Sequence, residues 1–293
     1  MDRHGGWTLG IMGGSGLYAI DGLEDAEWRR IDTPWGEPSD EILFGRLGAT
    51  RLVFLPRHGR GHRLSPSEVN ARANIYALKS AGATDVISIS AVGSLREDLE
   101  PGRFVVVDQF IDRTVARPRS FFGEGLIAHV SMADPTCPRL SGFAADAARA
   151  AGAEVAVGGT YLAMEGPQLS TRAESRLYRQ WGCDVIGMTA MPEAKLAREA
   201  ELPYACVGMV TDWDCWREDV AHVTVENVIA QLSANARTGT RLVEQLARAL
   251  PPEREPSPLD NVLDTALLGD PRTAEPTLRA RLEAILARRL ARP

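Results

Sequence analysis

The sequence predicts an α/β fold, a largely parallel or mixed β-sheet flanked by helices. Short β-branched or apolar runs alternate with stretches of helical period, and several of those runs end directly in glycine turns. No internal repeat points instead to a solenoid or propeller.

LGIMG (9–13), RLVFLP (51–56), DVISISAVG (85–93), RFVVVDQFI (103–111) and YACVGMVTD (204–212) read as buried strands. Between them, SPSEVNARANIYALKSAG (65–82) has a helical period and ends at Gly82. Residues 138–152, 170–181 and 192–200 also read as helices, and 225–250 as a long amphipathic one. PPEREPSP (251–258) reads as a linker, which separates a domain of residues 1–250 from a helical tail, 251–293, expected to pack on or near that domain. The tail ends in a basic helix, PTLRARLEAILARRLARP.

The totals narrow the class. Of 293 residues, 44% are hydrophobic and 25% charged, which is enough apolar material for a real core. A net charge of −6 gives no electrostatic reason to expect a nucleic-acid backbone as partner. No apolar stretch is long enough to span a bilayer, so no membrane partner is expected. The N-terminal MDRHGGWTLGIMGGSG lacks the apolar core of a signal peptide, and the four cysteines show no CxxC spacing. Together these read as a reduced, cytoplasmic protein.

Several segments carry chemistry. GGSGLYA (13–19) follows a strand, where backbone N–H groups and the Ser15 hydroxyl can cradle an anion; a bare tight turn would use the same residues. Gly14, Gly16 and Ala19 satisfy a loose dinucleotide pattern, but Asp21 and Gly22 break the helix that pattern requires. RHGRGHR (57–63) ends another strand. Arg57 offers a planar fork for an oxyanion and His58 stands beside it, though a solvated basic loop would look alike. His58 and His62 find no third ligand at metal-binding spacing, so no metal is expected. SISAVGSL (88–95) puts Ser90 and the Ala91 backbone near the carboxyl end of a strand, where α/β sheets bind ligands. In MEGPQLSTRAES (164–175), Glu165, Gly166 and Pro167 precede a helix that Thr171 and Glu174 cap. GMTAMPEA (187–194) similarly sets Met188 and Thr189 between a short strand and a helix.

TDWDCWR (211–217) closes an apolar run with two acids. In a strand, Asp212 and Asp214 project on the same side for as long as the extended geometry lasts. Shielded by Trp213 and Trp216, they would have unequal and raised pKa values, suited to protonating a leaving group. A helix-capping aspartate with a solvated neighbour would leave the same trace.

Taken together, GIMGGSGLY, IDTPWGEPSD, PRHGRGH, PSEVNARANIYALKSAGATDVIS, SAVGSLREDLEPG, VVVDQFIDRT, EGPQLSTRAES, MTAMPEAKLARE and TDWDCW resemble the 5′-methylthioadenosine phosphorylases, within the larger purine nucleoside phosphorylase family. The resemblance covers nearly all of residues 9–250 and implies a single-domain fold with a mixed β-sheet flanked by helices. It also implies a homotrimer with no metal or organic cofactor, taking inorganic phosphate as co-substrate. The implied reaction is reversible phosphorolysis of a 5′-substituted adenosine to adenine and a 5-substituted ribose 1-phosphate, with a 6-oxopurine or broad purine nucleoside phosphorylase as the alternative.

Position by position, Ser15, Arg57, His58, Ser90, Thr189 and the Ala91 backbone match the family's phosphate contacts, and Met188 its ribose contact. Asp212 and Asp214 match the pair that reads adenine, Asp212 favoured as the donor to N7 and Asp214 accepting from the 6-amino group. His62, Val223, Val225 and Val228 match the 5′ pocket, with His129 supplied in this family by a neighbouring subunit. Leu169 stands where many relatives place phenylalanine against the purine, and Ser15 and Ser90 replace threonines. The segment after Pro251 is longer than in several relatives. Some relatives take 5′-halo-5′-deoxyadenosines, so the 5′ substituent stays open.

Overall fold

The computed structural model describes residues 5–14, 16–217 and 225–291, with side chains from 231 onward in the last span. Eleven strands form one sheet: β1 (Thr8–Gly13), β2 (Glu24–Arg29), β3 (Ile42–Leu47), β4 (Thr50–Pro56), β5 (Asp85–Ser94), β6 (Phe104–Val107), β7 (Gln109–Asp112), β9 (Val155–Val157), β10 (Thr160–Ala163), β11 (Val185–Gly187) and β12 (Tyr204–Asp212). A two-stranded ribbon of β8 (Ile127–Ala128) and β13 (Leu267–Leu268) stands apart. The helices are α1 (Ala71–Ser80), α2 (Pro138–Ala150), α3 (Arg172–Gln180), α4 (Ala190–Glu199), α5 (Val225–Ala249), α6 (Leu263–Ala266), α7 (Pro276–Arg281) and α8 (Glu283–Leu290).

The main sheet runs β2-β3-β4-β1-β5-β11-β10-β7, and β12 pairs with β5 while continuing the sheet through β6 to β9. Parallel neighbours (β1 with β4 and β5, β5 with β12) mix with antiparallel ones (β2 with β3, β3 with β4, β12 with β6), so the sheet is mixed as expected. Helices α1, α4 and α8 bury one face around Ile75, Leu196, Ile285 and Leu286, and α2 and α5 bury the other around Leu140, Ala144, Leu242 and Leu246. At about 25 cal/mol per Å² of apolar surface, these two interfaces are the main driving force for closing the layers.

The central strand β5 makes the site. Its pairing with β1 ends at Met12–Ser88, and its antiparallel pairing with β11 begins only at Ile186–Gly93. Among the described residues, 89–92 therefore have no strand neighbour on that edge, although β12 still holds the other. A strand that outruns its partner at a change of direction leaves a crevice, as at the switch points of open α/β sheets.

Several elements differ from the sequence reading. The helix expected from residue 65 begins at 71, because Asn70 caps it through the Ala73 N–H while Ser65 and Glu68 close a separate turn. The single strand expected over 103–111 is two, divided at Asp108, whose carboxylate accepts the Gly159 N–H as the chain passes from one part of the sheet to another. The basic terminal helix is broken at Leu282, whose φ of −100° and ψ of 9° are not helical. The segment after 250 is tied down: Pro251 accepts from the Trp7 indole, and Arg254 pairs with the fully buried Asp85. β2, which is polar and almost wholly exposed, gave no strand signal.

Candidate active site

The crevice along 89–92 brings together most of the expected phosphate contacts. Ser90 is buried on β5 and Thr189 lies just beyond β11, and among the described residues neither hydroxyl has a hydrogen-bond partner. Leaving a buried hydroxyl unpaired costs about 1–3 kcal/mol, so two of them around one crevice mark a place where a polar ligand completes the structure. Ala91 lies between, on the edge of β5 that no strand covers. Ser15 lies outside the described residues; Gly13, at the end of β1, accepts the Arg57 N–H.

Arg57 is placed differently from an open oxyanion fork. It is fully buried, and its guanidinium donates to Glu193, to the Ser88 hydroxyl at 2.6 Å, and to the carbonyls of Ile89 at 3.1 Å and Met12 at 3.2 Å. It thus straps β1 to β5 at the point where they part. His58 beside it is buried; its Nδ1 lies 2.9 Å from the Leu64 carbonyl, which can only accept, so that nitrogen carries hydrogen. Burial, then the Arg57 charge, pushes the imidazole pKa down to about 4, so His58 is neutral near pH 7 with a bare Nε2. His62 is exposed and stacks on His58, the ring centroids 4.4 Å apart.

The acids sit at the end of β12. The register between β12 and β5 slips between Val210 and Asp212, so Thr211 is a bulged residue and Asp212 falls opposite Gly93. The extended geometry does not last to Asp214, which has a left-handed φ of 52°. In consequence the two carboxyls are not side by side on one strand face. Instead Asp212 Oδ1 accepts the Asp214 N–H at 2.8 Å, and Oδ2 accepts the Thr211 hydroxyl at 2.7 Å. Asp214 turns toward Ser175 and Ser170 at the start of α3, and its Oδ2 is buried without a partner among the described residues. Burial raises both pKa values; Thr211 and the Asp214 N–H oppose it at Asp212, whereas at Asp214 the Ser175 hydroxyl opposes it and the Asp212 charge adds to it. Trp216 donates to the Ser94 carbonyl at 2.8 Å and meets Trp213 edge-on, closing the turn over the acids.

Thr211 suits either protonation state of Asp212. Its single proton has two acceptors in reach, Asp212 Oδ2 and the Val92 carbonyl at 3.2 Å. It donates to the carboxylate when Asp212 is ionised. Once the carboxyl is protonated, the hydroxyl can accept from it and donate to Val92 instead.

Met188 is half-buried between β11 and α4, and its side chain occupies the space above Gly166: a Cβ there would lie 2.5 Å from its sulfur, and Gly166 has φ +69°. Sequence reasoning missed what holds Met188. Arg117, almost fully buried, donates to the Met188 and Met191 carbonyls and to the Glu165 carbonyl and carboxylate. Burial opposes ionisation of Glu165, but the Val115 N–H, Ser67 and Arg117 outweigh it and hold its carboxyl at about 2. Arg117 lies just beyond VVVDQFIDRT, with no pattern to single it out.

Leu169 is exposed, and His129 is exposed just after β8, where its N–H reaches the Ala266 carbonyl at the end of α6. Val223 lies outside the described residues, and Val225 and Val228 fall in the first turn of α5, whose side chains there are not described. Among the described residues no group of three His, Cys, Asp or Glu is placed to hold a metal, and no helix is long and apolar enough to cross a membrane.

A mixed sheet with a crevice at its central strand, unpaired hydroxyls along it and half-buried acids beside Gly93, fits the framework of a nucleoside phosphorylase. The chain belongs to the phosphorylase superfamily, whose family model matches residues 8–248, and it is a pentosyltransferase. Its place within that superfamily is among the S-methyl-5′-thioadenosine phosphorylases. A relative of that name from Cereibacter sphaeroides is 57% identical over 96% of this chain and 97% of its own length, and one from Rhodospirillum rubrum is 54% identical over 96% of each. Among solved structures, a methylthioadenosine phosphorylase sourced from an Antarctic soil metagenomic library superposes with a TM-score of 0.89 at 44% identity, covering 96% of this chain and 99% of that one. A mutant adenosine/methylthioadenosine phosphorylase from Schistosoma mansoni, in complex with methylthioadenosine, gives 0.75 at 36% identity over 83% and 91%.

Proposed function

We propose that the chain catalyses reversible phosphorolysis of 5′-methylthioadenosine, or a closely related 5′-deoxy-5′-substituted adenosine, to adenine and a 5-substituted ribose 1-phosphate. The observation that carries this reading is the meeting, at the uncovered stretch of β5 and at Gly93 just beyond it, of two hydroxyls unpartnered among the described residues with two half-buried acids of raised pKa. The relatives' names support the substrate.

In this reading inorganic phosphate is co-substrate, with no resident cofactor. Ser90, Thr189 and the Ala91 N–H cradle it, completed by Ser15 and Arg57, and the neutral His58 accepts from the P–O–H of hydrogen phosphate. A phosphate oxygen attacks C1′ as the bond to N9 breaks, and the electron pair leaves with the purine. Asp212 delivers its proton to N7, so that the base departs as neutral adenine; Asp214 accepts from the 6-amino group through its open Oδ2. Met188, held by Arg117, carries the ribose. His62, Val223, Val225 and Val228 line the 5′ pocket, and Leu169 flanks the base.

A homotrimer completes this reading, the exposed His129 reaching a neighbour's 5′ pocket, with sedimentation as the check. A cytoplasmic setting fits the spread-out cysteines. Residues 1–250 act as one phosphorylase domain with 251–293 as a tail upon it, a division supported by Leu278, Leu282, Ile285 and Leu286 sharing a core with α1. The deciding experiment compares turnover of methylthioadenosine, adenosine, inosine and methylthioinosine at saturating phosphate. Preference for the 6-amino substrates supports the role given to the acids, and faster turnover of the 6-oxo pair sinks it.

A further inference from the structure

Tyr161 lies on β10 with its side chain wholly buried. Its ring packs on Phe110 at 5.8 Å between centroids, a contact that needs no oxygen. The phenol oxygen has its own surroundings. It accepts the Thr189 N–H at a long 3.5 Å, and stands close to the Ser90 and Thr189 hydroxyls without completing a hydrogen bond to either. Gly187 measures how closely this oxygen is fitted: a Cβ there would fall 2.0 Å from it, and 3.4 Å from the Ala91 carbonyl oxygen. The end of β11 thus has room for the phenol only because residue 187 has no side chain.

The geometry points to Tyr161 as a positioning residue for the phosphate site, its single phenol hydrogen orienting the Ser90 hydroxyl toward the anion from the side away from it. This rests on the phosphate role proposed above for Ser90. Burial keeps the phenol protonated, so it has one hydrogen to give. The Thr189 N–H already occupies one of its lone pairs, and the hydroxyls of Ser90 and Thr189 are the nearby acceptors. A hydroxyl that accepts from the phenol keeps its own hydrogen for another acceptor. In a buried chain of this kind each link polarises the next, so an incoming phosphate oxygen meets a donor already aimed and strengthened. Tyr161 itself touches no substrate.

Tyr161→Phe keeps the ring and removes the oxygen. Losing one neutral hydrogen-bond link should raise the KM for phosphate about five- to tenfold, with the nucleoside KM held to within about twofold. Ser90→Ala should have a similar effect, and the double variant should be little worse than Ser90→Ala alone, because both act through one hydroxyl. An unchanged phosphate KM, strictly additive effects, or both KM values rising together with a fall in Tm would overturn the inference and leave Tyr161 as packing. If Y161F does not fold, Gly187→Ala displaces the phenol oxygen instead and should weaken the rise in Tm that inorganic phosphate alone produces. Undiminished stabilisation by phosphate in G187A would equally overturn it. A wild-type enzyme that cleaves its nucleoside without phosphate would fail the reaction reading first, and this inference with it.

Discussion

The backbone N–H of Asp214 donates to Asp212 Oδ1 at 2.8 Å, so the second acid of the pair fixes the first through its main chain and not its carboxyl. A left-handed turn at Asp214 makes this possible, swinging the Asp214 side chain toward Ser170 and Ser175. The two acids therefore have separate environments.

Asp212→Asn keeps the shape and the Asp214 contact but removes the transferable proton. Adenine release should slow about a hundredfold or more, the usual scale for a general acid, while phosphate KM stays near wild type. Steady-state kinetics with phosphate varied at saturating nucleoside would check it. Equal losses in kcat and phosphate affinity would make Asp212 structural.

Thr211→Val tests how the acid is tuned. The Thr211 hydroxyl lowers the Asp212 pKa against the upward push of burial, so removing it raises that pKa further. The donor must be protonated to act, and activity falls as pH rises past its pKa. In T211V the alkaline limb of the kcat/KM profile should therefore move to higher pH; a move to lower pH would contradict the assignment.

Both acids were legible in the sequence because two carboxylates after an apolar run are unusual wherever the chain goes next. Their arrangement was not, since the bulge at Thr211 depends on how β12 pairs with β5. Arg57 shows the same limit. As a residue it stood out, but Glu193, its partner, is 136 positions away, and only the fold reveals that most of the guanidinium is engaged within the protein. Tyr161 and Arg117 carry no local pattern at all; they matter because β11, β10 and β7 follow β5 in the sheet, next to the stretch of β5 left unpaired on that edge. The amphipathic helices and apolar central strands were readable from periodicity alone, whereas β2, with no apolar face, was not.

Glu193→Gln leaves the buried Arg57 charge without its carboxylate. Breaking a buried pair from one side costs about 3–5 kcal/mol, so E193Q should show a large fall in Tm and in denaturant midpoint. A change within the scatter of surface variants would mean that the Ser88, Ile89 and Met12 contacts suffice.

Arg117→Ala frees the Met188 and Met191 carbonyls and the Glu165 carboxylate together. The nucleoside KM should rise about tenfold, the scale of one or two lost charged hydrogen bonds, with phosphate KM nearly unchanged. Equal rises in both would show that Arg117 supports the whole crevice and not the ribose end.

Glu199 makes stability depend on pH. Its carboxyl accepts from the Ser120 hydroxyl and the Phe121 N–H, yet burial outweighs both and raises its pKa from 4.5 to about 7. The folded state therefore holds the proton more tightly than the unfolded chain. Its stabilising contribution is full below pH 4.5 and is lost as pH rises through about 7, a change on the order of 3 kcal/mol. Denaturant titrations across that range should show wild type losing stability relative to Glu199→Gln as pH rises; parallel curves would contradict the shift.

The most direct measurement is the product balance when the purified protein acts on methylthioadenosine with and without inorganic phosphate. Phosphorolysis at the Ser90–Thr189 crevice predicts no adenine without phosphate and, with it, one methylthioribose 1-phosphate formed for each adenine released. Adenine released at the same rate in phosphate-free buffer, with free methylthioribose as the other product, would contradict it.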